Sequence, residues 1–167
     1  DVSLIWPGHY QKKKTRVSFV CHRHGKILNY EIINPLPVPL LAGIKDTQKY
    51  MTWGEKEIYL EFLEHIKPDI LHVHTLMGLH GAMLEVANEL HIPIIFTTHD
   101  YFGLCSKANL YYNGEVCKNI DEQRCLSCNA GAFSIAKVRL MQSEFYQFMK
   151  EPLKRLRFKQ LFSKGSQ

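Results

Sequence analysis

Two short apolar runs, Asp69–His74 and Pro93–Thr98, enclose a stretch in which Leu79, Met83, Val86, Ala87 and Leu90 recur at helical spacing behind Gly78. Strand, helix and strand within about 30 residues make a βαβ unit. Two strands joined through a helix pair in parallel, and the crossover is then right-handed. The chain is therefore expected to be α/β. Any ligand is expected at the carboxyl ends of these strands, where open parallel sheets bind.

The flanking elements follow from the same patterning. Val2–Trp6 is a short strand stopped by Pro7-Gly8, and the β-rich stretches Arg16–Cys21 and Ile27–Ile33 form a hairpin around His24-Gly25. Pro35, Pro37 and Pro39 forbid regular structure until Asp46. After it, Tyr50, Trp53, Ile58, Phe62, Leu63 and Ile66 predict a helix from about Asp46 to Lys67, ended by Pro68. Residues 99–131 show no clear periodicity, which is long for an unsupported loop. Ile135, Val138, Met141, Phe145, Phe148 and Met149 predict a last helix, kinked or interrupted at Pro152.

With 167 residues, 46% hydrophobic and 22% charged, the chain can bury a core as one soluble domain. Its net charge of +5 belongs to residues 150–167, which hold six Lys/Arg against one Glu, while residues 1–149 balance fifteen against fifteen. A basic body that would track nucleic acid is excluded. No apolar run approaches the roughly 20 residues of a membrane span, and no signal-peptide pattern opens the chain, so a cytoplasmic location is expected. In the tail, Leu153, Leu156, Phe158, Leu161 and Phe162 alternate with Lys154, Arg155, Arg157 and Lys159. That pattern suits an amphipathic helix on the anionic inner face of a membrane, or equally packing against the sheet.

Two groups of side chains can carry chemistry. His72 and His74 are two apart on one strand and share a face, His99 and Asp100 end the neighbouring strand, and His80 follows the first. Such a set suits zinc, iron or manganese in a metal-dependent hydrolase. The alternative is that His72 is a buried sheet residue and only His74 and His99 reach a ligand. Cys105, Cys117, Cys125 and Cys128 are spaced C-x11-C-x7-C-x2-C, and the closing C-x2-C is the bite with which two thiolates share one tetrahedral ion. A structural zinc that pins residues 99–131 is expected, and an iron–sulfur cluster or redox thiols would use the same ligands. Cys21, in its β-rich stretch, reads as a packed thiol.

The stretch Lys67-Pro68-Asp69-Ile70-Leu71-His72-Val73-His74, then Pro93-Ile94-Ile95-Phe96-Thr97-Thr98-His99-Asp100-Tyr101, then Leu104-Cys105 and the spaced cysteines, resembles part of the family-four glycosyltransferases. The resemblance is to their amino-terminal, acceptor-binding domain in a cysteine-containing subgroup, over about Val2 to Leu140. It implies a GT-B architecture of two Rossmann-like domains, each a parallel sheet with flanking helices. It further implies a nucleotide-sugar donor held mainly by the second domain, a polysaccharide or lipid-linked acceptor held by the first, and retention at the anomeric carbon. By this likeness His99 faces the cleft near the transferred sugar, with His74 and Asp100 as donor-binding candidates beside it. A neutral imidazole there can hydrogen-bond a sugar hydroxyl, and a charged one favours the donor's diphosphate. The loop Pro7–Arg16 falls on the acceptor side, where Lys12-Lys13-Lys14 could meet a phosphate-bearing lipid; otherwise that charge run is a solvated face.

The family's opening strand and Gly-rich turn do not precede Val2, and no two glutamates stand eight apart to make the donor domain's Glu-x7-Glu pair. The expectation is a partial amino-terminal domain of a bacterial glycosyltransferase in residues 1–149, with the cysteine loop at 99–131 and a basic amphipathic tail at 150–167. Asp1 then reads as a fragment boundary, the donor domain is missing, and the chain alone is expected to be inactive. Besides the hydrolase, the alternative is a zinc-stapled interaction module with a membrane-binding tail.

Overall fold

A computed structural model of the chain describes residues 1–23, 27–39 and 43–150; the expected turn at His24-Gly25 and the tail from residue 151 lie outside the described residues. The amino-terminal strand signals correspond to β1 (Val2–Pro7), β2 (Arg16–Arg23) and β3 (Ile27–Ile33), in the order β1-β3-β2. β2 and β3 pair antiparallel, as the hairpin pattern predicts, with a bulge between Phe19 and Cys21. β1 runs parallel to β3, from Val2 opposite Ile27 to Pro7 opposite Ile32.

The helix expected over 46–67 is broken. Thr47–Tyr50 is a single 3-10 turn, residues 51–55 are irregular, and α1 spans only Lys56–Ile66. The breaker is Gly54, at φ +87, a left-handed conformation that costs other residues about 1–2 kcal/mol. Trp53 before it belongs to a different contact: its carbonyl accepts the Ala82 N–H at 2.9 Å and its ring covers Gly81. The regular apolar spacing thus serves two elements rather than one helix. Lys67, left-handed at φ 48, closes α1 by donating its N–H to the Leu63 carbonyl at 2.8 Å, just before Pro68.

The βαβ unit is present as β4 (Leu71–Val73), α2 (Gly81–Glu89) and β5 (Ile94–Phe96), with the strands parallel and Leu71 opposite Ile94. Tyr59 and Leu63, one helical turn apart on α1, pack with Ala82, Met83, Val86 and Ala87 of α2 and Ile32 of β3 to form the core. The two parallel pairs are separate ladders, yet their carboxyl ends meet. The Gly78 carbonyl, in the loop after β4, accepts the Leu36 N–H at 3.1 Å, and a methyl group on Gly78 would lie 2.6 Å from the Pro7 ring. Such close packing fixes the edge at which a ligand is expected.

Residues 99–131 are more ordered than their sequence suggested. β6 (Tyr111–Tyr112) and β7 (Glu115–Val116) form a hairpin around Asn113-Gly114, whose φ values of 50 and 86 are the paired positive angles of a type I′ turn. α3 (Glu122–Cys128) starts at Asp121, whose carboxylate accepts the Arg124 N–H at 2.7 Å. α4 (Ile135–Met141), capped by Ser134, stops at Gln142 rather than Pro152. There the Gln142 carbonyl accepts the Tyr10 N–H at 3.1 Å and its side chain bonds both the N–H and the carbonyl of Val38. The chain is helical again over 144–150. No helix among the described residues is long and apolar enough to cross a membrane.

Candidate functional site

In the parallel register His72 lies level with Ile95. Residues two apart share a face, so each histidine on the β4 line meets the residue two places beyond its level partner on the β5 line. His72 Nε2 accordingly lies 2.8 Å from Thr97 Oγ1, and His74 Nδ1 lies 2.9 Å from His99 Nε2. The His72 and His74 rings lie tilted against each other with centroids 4.0 Å apart, and those of His74 and His99 stack at 5.2 Å. All three are exposed, so His72 is not the buried sheet residue of the simpler expectation. Partial desolvation, and then the like charges of His72 and His99, hold His74 below the ordinary imidazole value. This favours its neutral form.

Asp100 turns away from this stack. Its carboxylate accepts the Phe102 N–H at 2.7 Å and fixes the turn that follows the strand. His80 is also elsewhere: it is buried ahead of α2, with Nδ1 2.5 Å from Tyr59 Oη, and burial lowers its pKa. The hydrolase expectation finds no assembled ligand set here, since Asp100 is held by its own turn, away from His72, His74 and His99. Among the described residues no group of three or more His, Cys, Asp or Glu is arranged to hold a metal ion. The same finding applies to the cysteines, which do not form the expected closed tetrahedral site as they stand.

The cysteines are nevertheless gathered. Tyr101 winds the chain tightly after His99: its carbonyl accepts the N–H groups of Leu104 and Cys105 at 3.0 and 2.9 Å, and its own N–H donates to Ala108 at 3.1 Å. The hairpin returns Cys117, whose N–H donates to Leu110 at 2.7 Å, and α3 carries Cys125 and Cys128. All four line one cavity of about 30 Å³, beside Ile120 and Arg124, and all four are free thiols. Burial pushes the Cys105 thiol up, but the backbone N–H groups of residues 107–110 together outweigh it and bring its pKa below the usual value. Arg124 hydrogen-bonds Cys117, while its buried Nη2 has no partner among the described residues.

Two residues of this region escaped the sequence reading. One is Arg124. The other is Asn129, whose Oδ1 accepts the Ile44 N–H at 2.9 Å and whose amide donates to the Cys125 carbonyl at 2.7 Å, tying the loop at 43–44 to α3. A single Asn or Arg carries no periodic signal. Asn113-Gly114 and the Asp121 cap were legible signs of the hairpin and of α3.

Residues 8–125 match the family model described as Glycosyltransferase Family 4. The chain belongs to glycosyltransferase family 4. No curated protein and no solved structure matches it. The match starts just after β1 and ends within α3, so it takes in His74, His99, Asp100, Cys105, Cys117 and Cys125, while Cys128 and α4 lie beyond it. The mixed α/β architecture with parallel strands is that of a Rossmann-like glycosyltransferase domain. Membership implies glycosyl-transfer chemistry, with a nucleotide-sugar donor and an acceptor as substrates.

Proposed function

We propose that this glycosyltransferase domain is the acceptor-side part of a retaining enzyme that moves a sugar from a nucleotide-sugar to a polysaccharide or lipid-linked acceptor. The observation that carries the reading is the His74–His99 pair, 2.9 Å apart at the carboxyl edge of β4 and β5. A neutral His74 engages Nε2 of His99 and orients that ring, which leaves Nδ1 of His99 to meet a sugar hydroxyl or, in the charged form, the donor's diphosphate. Asp100 contributes by fixing the turn next to His99. On the acceptor side, Asn34 accepts the Gln11 N–H at 2.8 Å and donates to the Lys13 carbonyl at 2.5 Å. That bond shapes a loop on which Lys12, Lys13 and Lys14 are exposed, as a phosphate-bearing lipid acceptor would require.

The reading places the protein in the bacterial cytoplasm, with the basic tail 150–167 as its contact to the inner face of the membrane. A zinc on the loop cysteines would hold the segment after His99 and take no step in the transfer. The donor-holding pair of glutamates is not among these 167 residues, so sugar transfer by the chain alone is not expected.

Histidine-ring NMR tests the reading. During titration with a panel of nucleotide-sugars and with a lipid phosphate, the His99 and His74 signals are expected to shift while buried His80 stays unmoved. A His99 signal indifferent to every donor and acceptor would overturn the assignment. Turnover of a nucleotide-sugar by the isolated chain above a His99→Ala control would overturn its inactivity.

A further inference from the structure

We infer that Arg16, Gln11, His9 and Glu31 form a one-way hydrogen-bond chain that fixes His9 as its Nδ1–H tautomer. Through it His9 is the positioning residue of the loop that presents Lys12, Lys13 and Lys14 to a phosphate-bearing lipid acceptor. What the lysines meet rests on the acceptor-side reading above, whereas the chain of hydrogen bonds rests on geometry alone.

The loop has no ladder of its own. Residues 11–15 contain no regular structure, and Lys12, Lys13 and Lys14 are exposed, so their like charges are held close together without burial. It leaves the carboxyl end of β1, where Pro7 packs on Gly78 of the loop after β4. It therefore lies on the same edge of the fold as His74 and His99. Its root is stitched to the end of β3: Gly8 donates its N–H to the Ile32 carbonyl, and Asn34 donates to the His9 carbonyl, both at 3.0 Å. A Cβ on Gly8 would fall 2.6 Å from Glu31 Oε2, so glycine here leaves room for that carboxylate beside the loop.

Beyond the root, side chains hold the loop. Arg16 Nη2 donates to Gln11 Oε1 at 3.0 Å, Gln11 Nε2 lies 2.8 Å from His9 Nε2, and His9 Nδ1 lies 3.2 Å from Glu31 Oε2. The proton positions follow from the two ends. A guanidinium only donates, so the Gln11 oxygen must face Arg16 and the Gln11 amide N–H must point at His9. Nε2 of His9 then has to accept, which puts the ring proton on Nδ1, where it meets a carboxylate that only accepts. Donation runs one way, from the cationic end at Arg16 to the anionic end at Glu31.

Free histidine prefers the opposite tautomer, so the surroundings impose this one. The other form would set N–H against N–H at Gln11 and break the chain in its middle. The His9 and Glu31 side chains are only 16% and 19% exposed, which limits competition from water. Arg16 also donates through Nη1 to the Lys14 carbonyl at 3.4 Å. The same chain thus grips the far end of the lysine run.

Nitrogen-15 NMR of the imidazole rings in the full chain reads the tautomer directly. His9 is expected as Nδ1–H, and Arg16→Met, which removes the end that orients Gln11, should give a mixture of tautomers. A wild-type His9 in the Nε2–H form would overturn the inference. The loop is then titrated with inorganic phosphate and with dihexanoyl phosphatidic acid, and binding is read at the backbone amides of residues 11–16. His9→Leu should weaken the phosphatidic acid response about 3–10-fold, the equivalent of about one hydrogen bond. His9→Gln, whose carboxamide carries one donor and one acceptor, should restore it, and an unmoved signal from buried His80 shows that both variants are folded. Equal affinity in wild type and His9→Leu would remove the positioning role. No response to either probe in a wild-type chain whose His9 is Nδ1–H would instead overturn the acceptor-side reading, and an equal response to both would assign the loop to free phosphate rather than to a lipid.

Discussion

Replacing Gly54 with alanine gives opposite results for the two descriptions of residues 46–67. If the segment were one helix, as its apolar spacing suggests, Gly54→Ala would stabilise the protein by about 1 kcal/mol, because glycine is the costlier residue inside a helix. In the structure Gly54 sits at φ +87, and an added Cβ lands 2.8 Å from Cβ, Cγ and Cδ2 of His80. The left-handed backbone costs about 1–2 kcal/mol and the overpacking about 1–3 kcal/mol more. Relief by moving His80 is blocked, since the ring is buried and held 2.5 Å from Tyr59 Oη. The net effect is a loss of about 2–5 kcal/mol. Gly103 is the control: at φ +101 with nothing within 4 Å, its alanine variant should lose only the backbone share, about 1–2 kcal/mol. Urea unfolding followed by far-UV circular dichroism reads both, provided the slope with denaturant is unchanged. A Gly54→Ala protein as stable as wild type, or no less stable than Gly103→Ala, would refute the strained contact with His80.

Met83, 1% exposed between α1 and α2, should cost about 2–5 kcal/mol when changed to alanine, measured by the same unfolding curves. Burial holds His80 below its ordinary value, so its contribution to stability is complete above about pH 6.5. That contribution falls by at most about 1.4 kcal/mol per pH unit as the unfolded chain protonates, and levels off below the folded pKa. The difference between wild type and His80→Asn should show this acid limb, and identical pH profiles would contradict it. Asp121→Ala removes the α3 cap and should cost about 0.5–2 kcal/mol. Because α3 buries no residue, the loss should appear as faster amide exchange in 122–128 with the global midpoint unmoved.

The βαβ unit, the amino-terminal hairpin and the stop at Pro68 were legible because hydrophobic period, Pro and Gly act over a few residues. Trp53 misled for the opposite reason: its spacing fits a helix, but its partner is Gly81, 28 positions on. In the cysteine region, the Asn113-Gly114 turn and the Asp121 cap were local signals of real structure. The Asn129 bond to Ile44 spans 85 residues and left no trace in the pattern.

The site divides along the same line. The sequence alone determined that His72 and His74 share a face, that His99 ends the adjacent strand, and that four cysteines follow at metal-ligand spacing, since these depend only on chain order and the two-residue strand period. Which groups bond was decided by tertiary structure. Pairing His72 level with Ile95 sets His74 against His99 and His72 against Thr97, and Asp100 spends its carboxylate on its own turn. Register between strands is an inter-segment quantity, set by how α1 and α2 pack over β3 and how the chain closes at Gly78. No local pattern contains it, and it turned a candidate metal site into an oriented histidine at the edge of a glycosyltransferase domain.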